Sequence, residues 1–155
     1  MKRGFTLLLA EDNFNDATLF EHAAQTGAAL AGVKVDLYRV RDGAEAIAYL
    51  RDEGEFADKP FPDLVVLDLK MPMMDGLDVL AWLGSHAEYR RLPKIILSGS
   101  GLEKDVEEAY KLGANTYFEK PGTLDEYREL VSHMILYWSH TKRPALRRRS
   151  LTSGL

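Results

Sequence analysis

Apolar runs of strand length recur five times along the chain, at 5–10, 33–40, 64–67, 94–97 and 114–118, and each gives way to polar or glycine-containing residues. Between them the spacing predicts helices over 14–28, 43–51, 77–83 and 106–112. A last helix is marked by Leu124, Tyr127, Leu130, Val131, Met134, Ile135 and Trp138, which form one stripe at three- and four-residue steps. Thr123 is placed to cap it, with Glu126 three residues on. Strands that alternate with helices imply right-handed crossovers and a parallel sheet covered on both faces, an α/β doubly wound architecture. Leu64-Val65-Val66-Leu67 and Ile95-Ile96-Leu97 are unbroken apolar runs and read as central strands. Val33-Lys34-Val35-Asp36-Leu37-Tyr38 alternates, as an edge strand does.

The chain has 155 residues, 46% hydrophobic and 28% charged, enough for one domain with a real core and too few for a second full one. The expected organisation is a domain over 5–140 and a flexible basic tail over 141–155 that contains Lys142, Arg143, Arg147, Arg148 and Arg149. A formal charge of -4 argues against general nucleic-acid binding by the body of the protein, and no direct DNA binding is expected. The absence of cysteine excludes disulfides, thiolate catalysis and thiolate-bound zinc. Glu11 and Asp12 interrupt the first apolar run too early for a signal peptide. No apolar stretch approaches the roughly 20 residues of a membrane span. A cytoplasmic protein without membrane insertion is expected.

An open parallel sheet presents its chemistry beyond the carboxyl ends of its strands. Four of the five predicted strands lead to suitable residues: Glu11 and Asp12, then Asp68, then Ser98 and Gly99, then Lys120-Pro121. Converging carboxylates repel one another unless a cation joins them, and hard oxygen ligands suit Mg2+ with a phosphate. Phosphoryl transfer needs such a metal, a lysine and hydrogen-bond donors around the moving group. Asp68 then serves as nucleophile, Lys120 and Ser98 contact phosphoryl oxygens, and Gly99 leaves the approach open. Taken singly these residues are ordinary turn and capping chemistry, and Asn13 or Asp12 can simply cap the first helix. Their common position at strand ends, in order, favours the chemical reading.

The segments Leu7-Leu8-Leu9-Ala10-Glu11-Asp12-Asn13, Pro62 to Gly76 around Asp68, Leu97-Ser98-Gly99 and Phe118-Glu119-Lys120-Pro121 together resemble the receiver domain of two-component response regulators. The resemblance covers about residues 5–140. It implies a flavodoxin-like (βα)5 sheet in strand order 2-1-3-4-5. It also implies Mg2+ held by Glu11, Asp12, Asp68 and the backbone carbonyl of Lys70, phosphorylation of Asp68 by a sensor histidine kinase, and a switch that pairs Ser98 with Tyr117. A cis Lys120-Pro121 bond is implied as well. Lys70 departs from the uncharged polar residue common at that place, and a cation there is positioned to contact or shield the phosphoryl group.

A narrower resemblance, to the short regulators that partner bacterial phytochromes, rests on Val40 to Ala46, Tyr49 to Phe56, Leu97 to Ser100, Tyr110 to Asn115 and the ending Tyr137-Trp138. It implies a bacteriophytochrome as kinase and a homodimer built on the last elements. Tyr137 and Trp138 are adjacent, so one stripe cannot bury both. Either one faces a partner, or the tryptophan lies along a helix end with its polar edge in water. The function expected is a phosphorylation switch with no output domain and no enzymatic turnover beyond its own phosphorylation and dephosphorylation. The alternatives are a phosphorelay intermediate or phosphate sink, an aspartyl-phosphate hydrolase, which normally needs an acid where Lys70 stands, and an adaptor working through the basic tail. His22, His86, His133 and His140 show no metal spacing and are expected on helix surfaces.

Overall fold

The computed structural model describes residues 4–144. Strand and helix alternate as β1 (Gly4–Ala10), α1 (Phe14–Ala31), β2 (Lys34–Val40), α2 (Gly43–Leu50), β3 (Leu64–Leu67), α3 (Gly76–Gly84), β4 (Lys94–Ser98), α4 (Glu103–Lys111), β5 (Thr116–Glu119) and α5 (Leu124–His140). The five strands pair in parallel in the order β2-β1-β3-β4-β5, the expected doubly wound, flavodoxin-like arrangement. The unbroken apolar runs β3 and β4 are buried along their whole length, while β2 at the edge is only partly covered.

The pleat of β1 divides the core. Leu8 and Ala10 pack on one face with α2, α3 and α4, whereas Leu7 and Leu9 pack on the other with α1 and α5. The α1–α5 contact is close because Gly27 lacks a Cβ; one built there would sit 2.9 Å from Ile135 Cβ. Asn13 caps α1, its side chain accepting from the Asp16 N–H, and Gly32 ends that helix at φ 69°. Thr123 caps α5 through the Glu126 N–H, as its sequence position suggests.

Two helices run three residues past the hydrophobic pattern at one end. Helix α1 continues to Ala31, and α4 begins at Glu103 rather than at 106. The added first turn of α4 is charged, so its helix-forming residues leave no apolar period to read.

The structure overturns the expected cis bond, since no described peptide bond is cis, Lys120-Pro121 included. Lys120 is aimed without it: its backbone N–H donates to Ser98 O at 2.7 Å, which carries the β4–β5 pairing one residue further and fixes the side chain's direction.

The start of the expected tail packs on the body. Arg143 donates to Trp138 O at 2.6 Å, lies 3.8 Å from Asp63 and sits 5.2 Å from the centre of the Phe5 ring. Residues 145–155, with Arg147, Arg148 and Arg149, lie outside the described residues. Among the described residues no helix is long and apolar enough to cross a membrane.

Candidate functional site

The carboxyl edge of the sheet gathers four acids and one lysine. Extending β1 by one residue, the Glu11 N–H donates to Val40 O at 3.0 Å, which turns Glu11 inward and leaves Asp12 facing solvent. Asp68 is held next to them because its N–H donates to Ala10 O at 3.1 Å. The loop after Asp68 folds tightly back on it, so that a Cβ on Gly76 would run into the Asp68 carbonyl oxygen. That close approach requires glycine at position 76.

Glu11, Asp12 and Asp68 each contribute a carboxylate oxygen to a cluster in which those atoms lie within 4.8 Å of one another. Glu11 and Asp68 are 3% and 6% exposed, so their charges cannot be left to water. The Lys120 ammonium meets both, at 2.7 Å from Glu11 and 3.2 Å from Asp68, and it also meets Asp16 at 2.8 Å. An all-oxygen donor set of this kind suits a hard divalent cation.

Burial raises the Glu11 carboxyl to about 7; the Lys120 hydrogen bond opposes this and the Asp68 charge adds to it. Burial by itself would lower the Lys120 ammonium, but hydrogen bonds to Asp16 and Glu11 and the Asp68 and Glu11 charges outweigh it and raise it. Lys120 therefore stays charged, and Glu11 shares its proton balance with the cluster.

Other expected residues form a second network along the β4–β5 edge. Ser98 is fully buried, and its hydroxyl accepts from the Ser100 N–H at 3.3 Å. The Tyr117 hydroxyl donates to Ser100 O at 2.6 Å, and the Ser100 hydroxyl donates to the buried Asp105 carboxylate at 2.5 Å. Burial raises the Tyr117 phenol, opposed by its hydrogen bonds to Ser100 and Ser98. Gly99 is exposed, and a Cβ there would meet nothing within 4 Å, so the approach past it is open. Lys70 extends into solvent while its backbone N–H donates to Asp68 Oδ1 at 3.2 Å.

Tyr137 and Trp138 separate as their adjacency requires. Trp138 is partly buried against the α1–α5 core, and Tyr137 is 65% exposed beside it. A groove of about 520 Å³ between β5 and α5 is lined by Thr116, Phe118, Leu130, Met134 and these two rings. His22, His133 and His140 are exposed on helices as expected; His86, just after α3, is partly covered and lies tilted against Trp82 with ring centres 4.3 Å apart.

Sequence reasoning missed Asp16, Arg39, Ser100 and Asp105. Asp16 lies three residues after the cap Asn13, a spacing that could have placed it in the first turn facing the strand ends. Arg39 at the end of β2 donates to the Glu11 and Asp12 carbonyls at 3.0 and 3.2 Å, and nothing along the chain signals that reach.

The response regulator receiver domain model matches residues 7–132. Response regulator Rcp1 of Synechocystis sp. is 33% identical over 135 residues, 87% of this chain and 89% of that protein. The crystal structure of the phosphorylated cyanobacterial phytochrome response regulator RcpA superposes with a TM-score of 0.85 at 36% identity, covering 92% of this chain and 99% of that one. The Mn2+-bound form of Rcp1 superposes with a TM-score of 0.83 at 32% identity, covering 91% and 99%.

Proposed function

The chain belongs to the family of response regulator receiver domains and is related to phytochrome response regulators, and from that premise we propose that it is a phosphorylation switch whose acceptor is Asp68. The observation that carries this is the meeting of three carboxylates and the Lys120 ammonium at the carboxyl edge of the sheet. A carboxylate oxygen of Asp68 attacks phosphorus on the phosphohistidine of a sensor kinase. The new O–P bond forms as the N–P bond breaks, and the electron pair leaves with the imidazole. Lys120 offsets charge on one phosphoryl oxygen, and the Ser98 hydroxyl turns from Ser100 to donate to another.

Glu11, Asp12, Asp68 and the Lys70 carbonyl would hold Mg2+, the hard cation their oxygens fit, and the metal supplies charge neutralisation for the phosphoryl oxygens when bound. Release of the Ser100 N–H by Ser98 loosens the loop that also carries the acceptor of the Tyr117 hydroxyl, which couples the site to α4 and β5. The added charge, about -1.5 to -2 at neutral pH, is the input.

Asp68→Asn keeps the shape and removes the nucleophile. The full chain mixed with Mg2+ and acetyl phosphate should gain one phosphoryl group by intact mass, and the variant none. A labelled variant would refute the acceptor. The donor in the cell, on this reading, is a cytoplasmic histidine kinase of the bacteriophytochrome type, the class with which related phytochrome response regulators work. With an exposed Tyr137 in the last turn of α5 beside an apolar groove, the signal passes through a homodimer on that face. Light scattering should give twice the chain mass at micromolar concentration, and a monomer in both phosphorylation states would rule the dimer out.

A further inference from the structure

Lysine has three N–H donors, and in this protein Lys120 faces three carboxylates: Glu11 at 2.7 Å, Asp16 at 2.8 Å and Asp68 at 3.2 Å. A phosphoryl oxygen can take a full hydrogen bond from the ammonium only if one of these is given up. Asp68 is the reacting group. The Glu11 side chain is 4% exposed and also accepts from the Asn13 N–H at 3.2 Å, so releasing it would strand a buried charge. The Asp16 side chain is 34% exposed, so its carboxylate, once freed, is taken up by water.

Asp16 is also well placed for this exchange. Its N–H is fixed by the Asn13 side chain at 3.0 Å, and its carbonyl accepts from the Tyr127 hydroxyl at 3.5 Å, which sets the first turn of α1 against α5. At a helix N-terminus its negative charge remains favourable after the lysine leaves.

We infer that Asp16 is a positioning residue that competes with the incoming phosphoryl group for the Lys120 ammonium and so restrains phosphorylation. The inference rests on the reading of Asp68 as acceptor. With acetyl phosphate the Asp68 oxygen forms the new bond to phosphorus while the bond to the acetate oxygen breaks, the pair leaves with acetate, and no proton moves. Lys120 must swing its third donor from Asp16 to the phosphoryl oxygen during that step.

The test uses the full chain, Mg2+ and acetyl phosphate, with label followed by intact mass. Asp16→Asn should speed labelling about three- to tenfold, the scale of one charge-assisted bond at a partly exposed place. The gain should persist at about 1 M salt, where the Debye length is about 3 Å and a general field effect is screened. Asp16→Glu, which restores the carboxylate, should return the rate toward wild type. A rate for Asp16→Asn at or below wild type overturns the inference, as does a gain that vanishes in salt or one that Asp16→Glu fails to reverse. A wild-type chain that takes no label overturns the acceptor reading itself, whereas a labelled wild type with an unchanged Asp16→Asn rate overturns only the role of Asp16.

Discussion

Two lysines, one buried and one partly buried, stand at opposite ends of the sheet, and they behave in opposite ways. Lys94 opens β4 and is 4% exposed; its ammonium donates to Arg90 O at 3.2 Å and Leu92 O at 2.9 Å. Burial lowers its pKa, and no carboxylate acts against that. Lys120 follows β5 and is partly buried, its side chain 14% exposed, yet carboxylates raise its pKa. Carbonyl dipoles can only satisfy a buried cation, whereas carboxylates bind it at a place where a further anion can compete for it. The amino end of the sheet thus uses a lysine to close the fold, and the carboxyl end uses one to hold carboxylates together.

The contrast breaks most visibly if each lysine is replaced by methionine. Lys120→Met leaves Glu11 and Asp68 buried without their counter-charge, which should cost the metal-free protein about 3 kcal/mol by denaturant unfolding in a chelator at pH 8. Added Mg2+ should recover part of the loss. An unchanged unfolding midpoint would show that the carboxylates do not depend on the lysine.

A smaller effect follows from Glu11. Its folded pKa of about 7 lies above the ordinary 4.5, so its contribution is present in full below pH 4.5 and is lost as pH rises through 7. Between those values metal-free wild type should lose about 2 kcal/mol relative to Glu11→Gln. Parallel stability curves for the two proteins across that window would contradict the assignment. The lysine beside it does not interfere, because its raised pKa keeps it charged throughout.

Smallest of all should be Lys94→Met, within about 1 kcal/mol of wild type at neutral pH, since among the described residues the ammonium lost there has no ionic partner. The sign varies with pH. A lowered folded pKa places the stability from Lys94 above its ordinary 10.5 and removes it as pH falls through the folded value. Wild type should therefore gain on the variant as pH rises toward 10.5, by thermal unfolding. A loss of several kcal/mol would mean that its two carbonyl bonds matter as much as the carboxylates of Lys120.

The strands were legible because each is an apolar run closed by polar residues, and β3 and β4 read as central because they do not alternate. Asp68 and Lys120 were legible by their place just after strands, where an α/β sheet exposes its chemistry. Asp16, Arg39 and Asp105 were not. Arg39 and Asp105 have no local feature to separate them from solvated neighbours such as Glu107, and the spacing from the cap that places Asp16 in the first turn of α1 is shared by the exposed Asp78 in α3. The start of α4 was hidden for a related reason, since its first turn carries no buried stripe.

Local pattern therefore determined the order of elements and the identity of the residues at the strand ends, because period and apolarity act over a few neighbouring positions. Only the tertiary structure decided that Lys120 meets three carboxylates while Lys94 meets two carbonyls, that Trp138 turns inward while Tyr137 faces solvent, and that Lys120-Pro121 is trans. For Lys120 the deciding groups lie far along the chain, Asp16 being 104 positions away and Asp68 52, whereas the two carbonyls of Lys94 lie only four and two positions before it and are brought round by the turn that opens β4. The charge state of a buried lysine is set by whichever partners folding brings within reach, and the residue type alone does not carry that information.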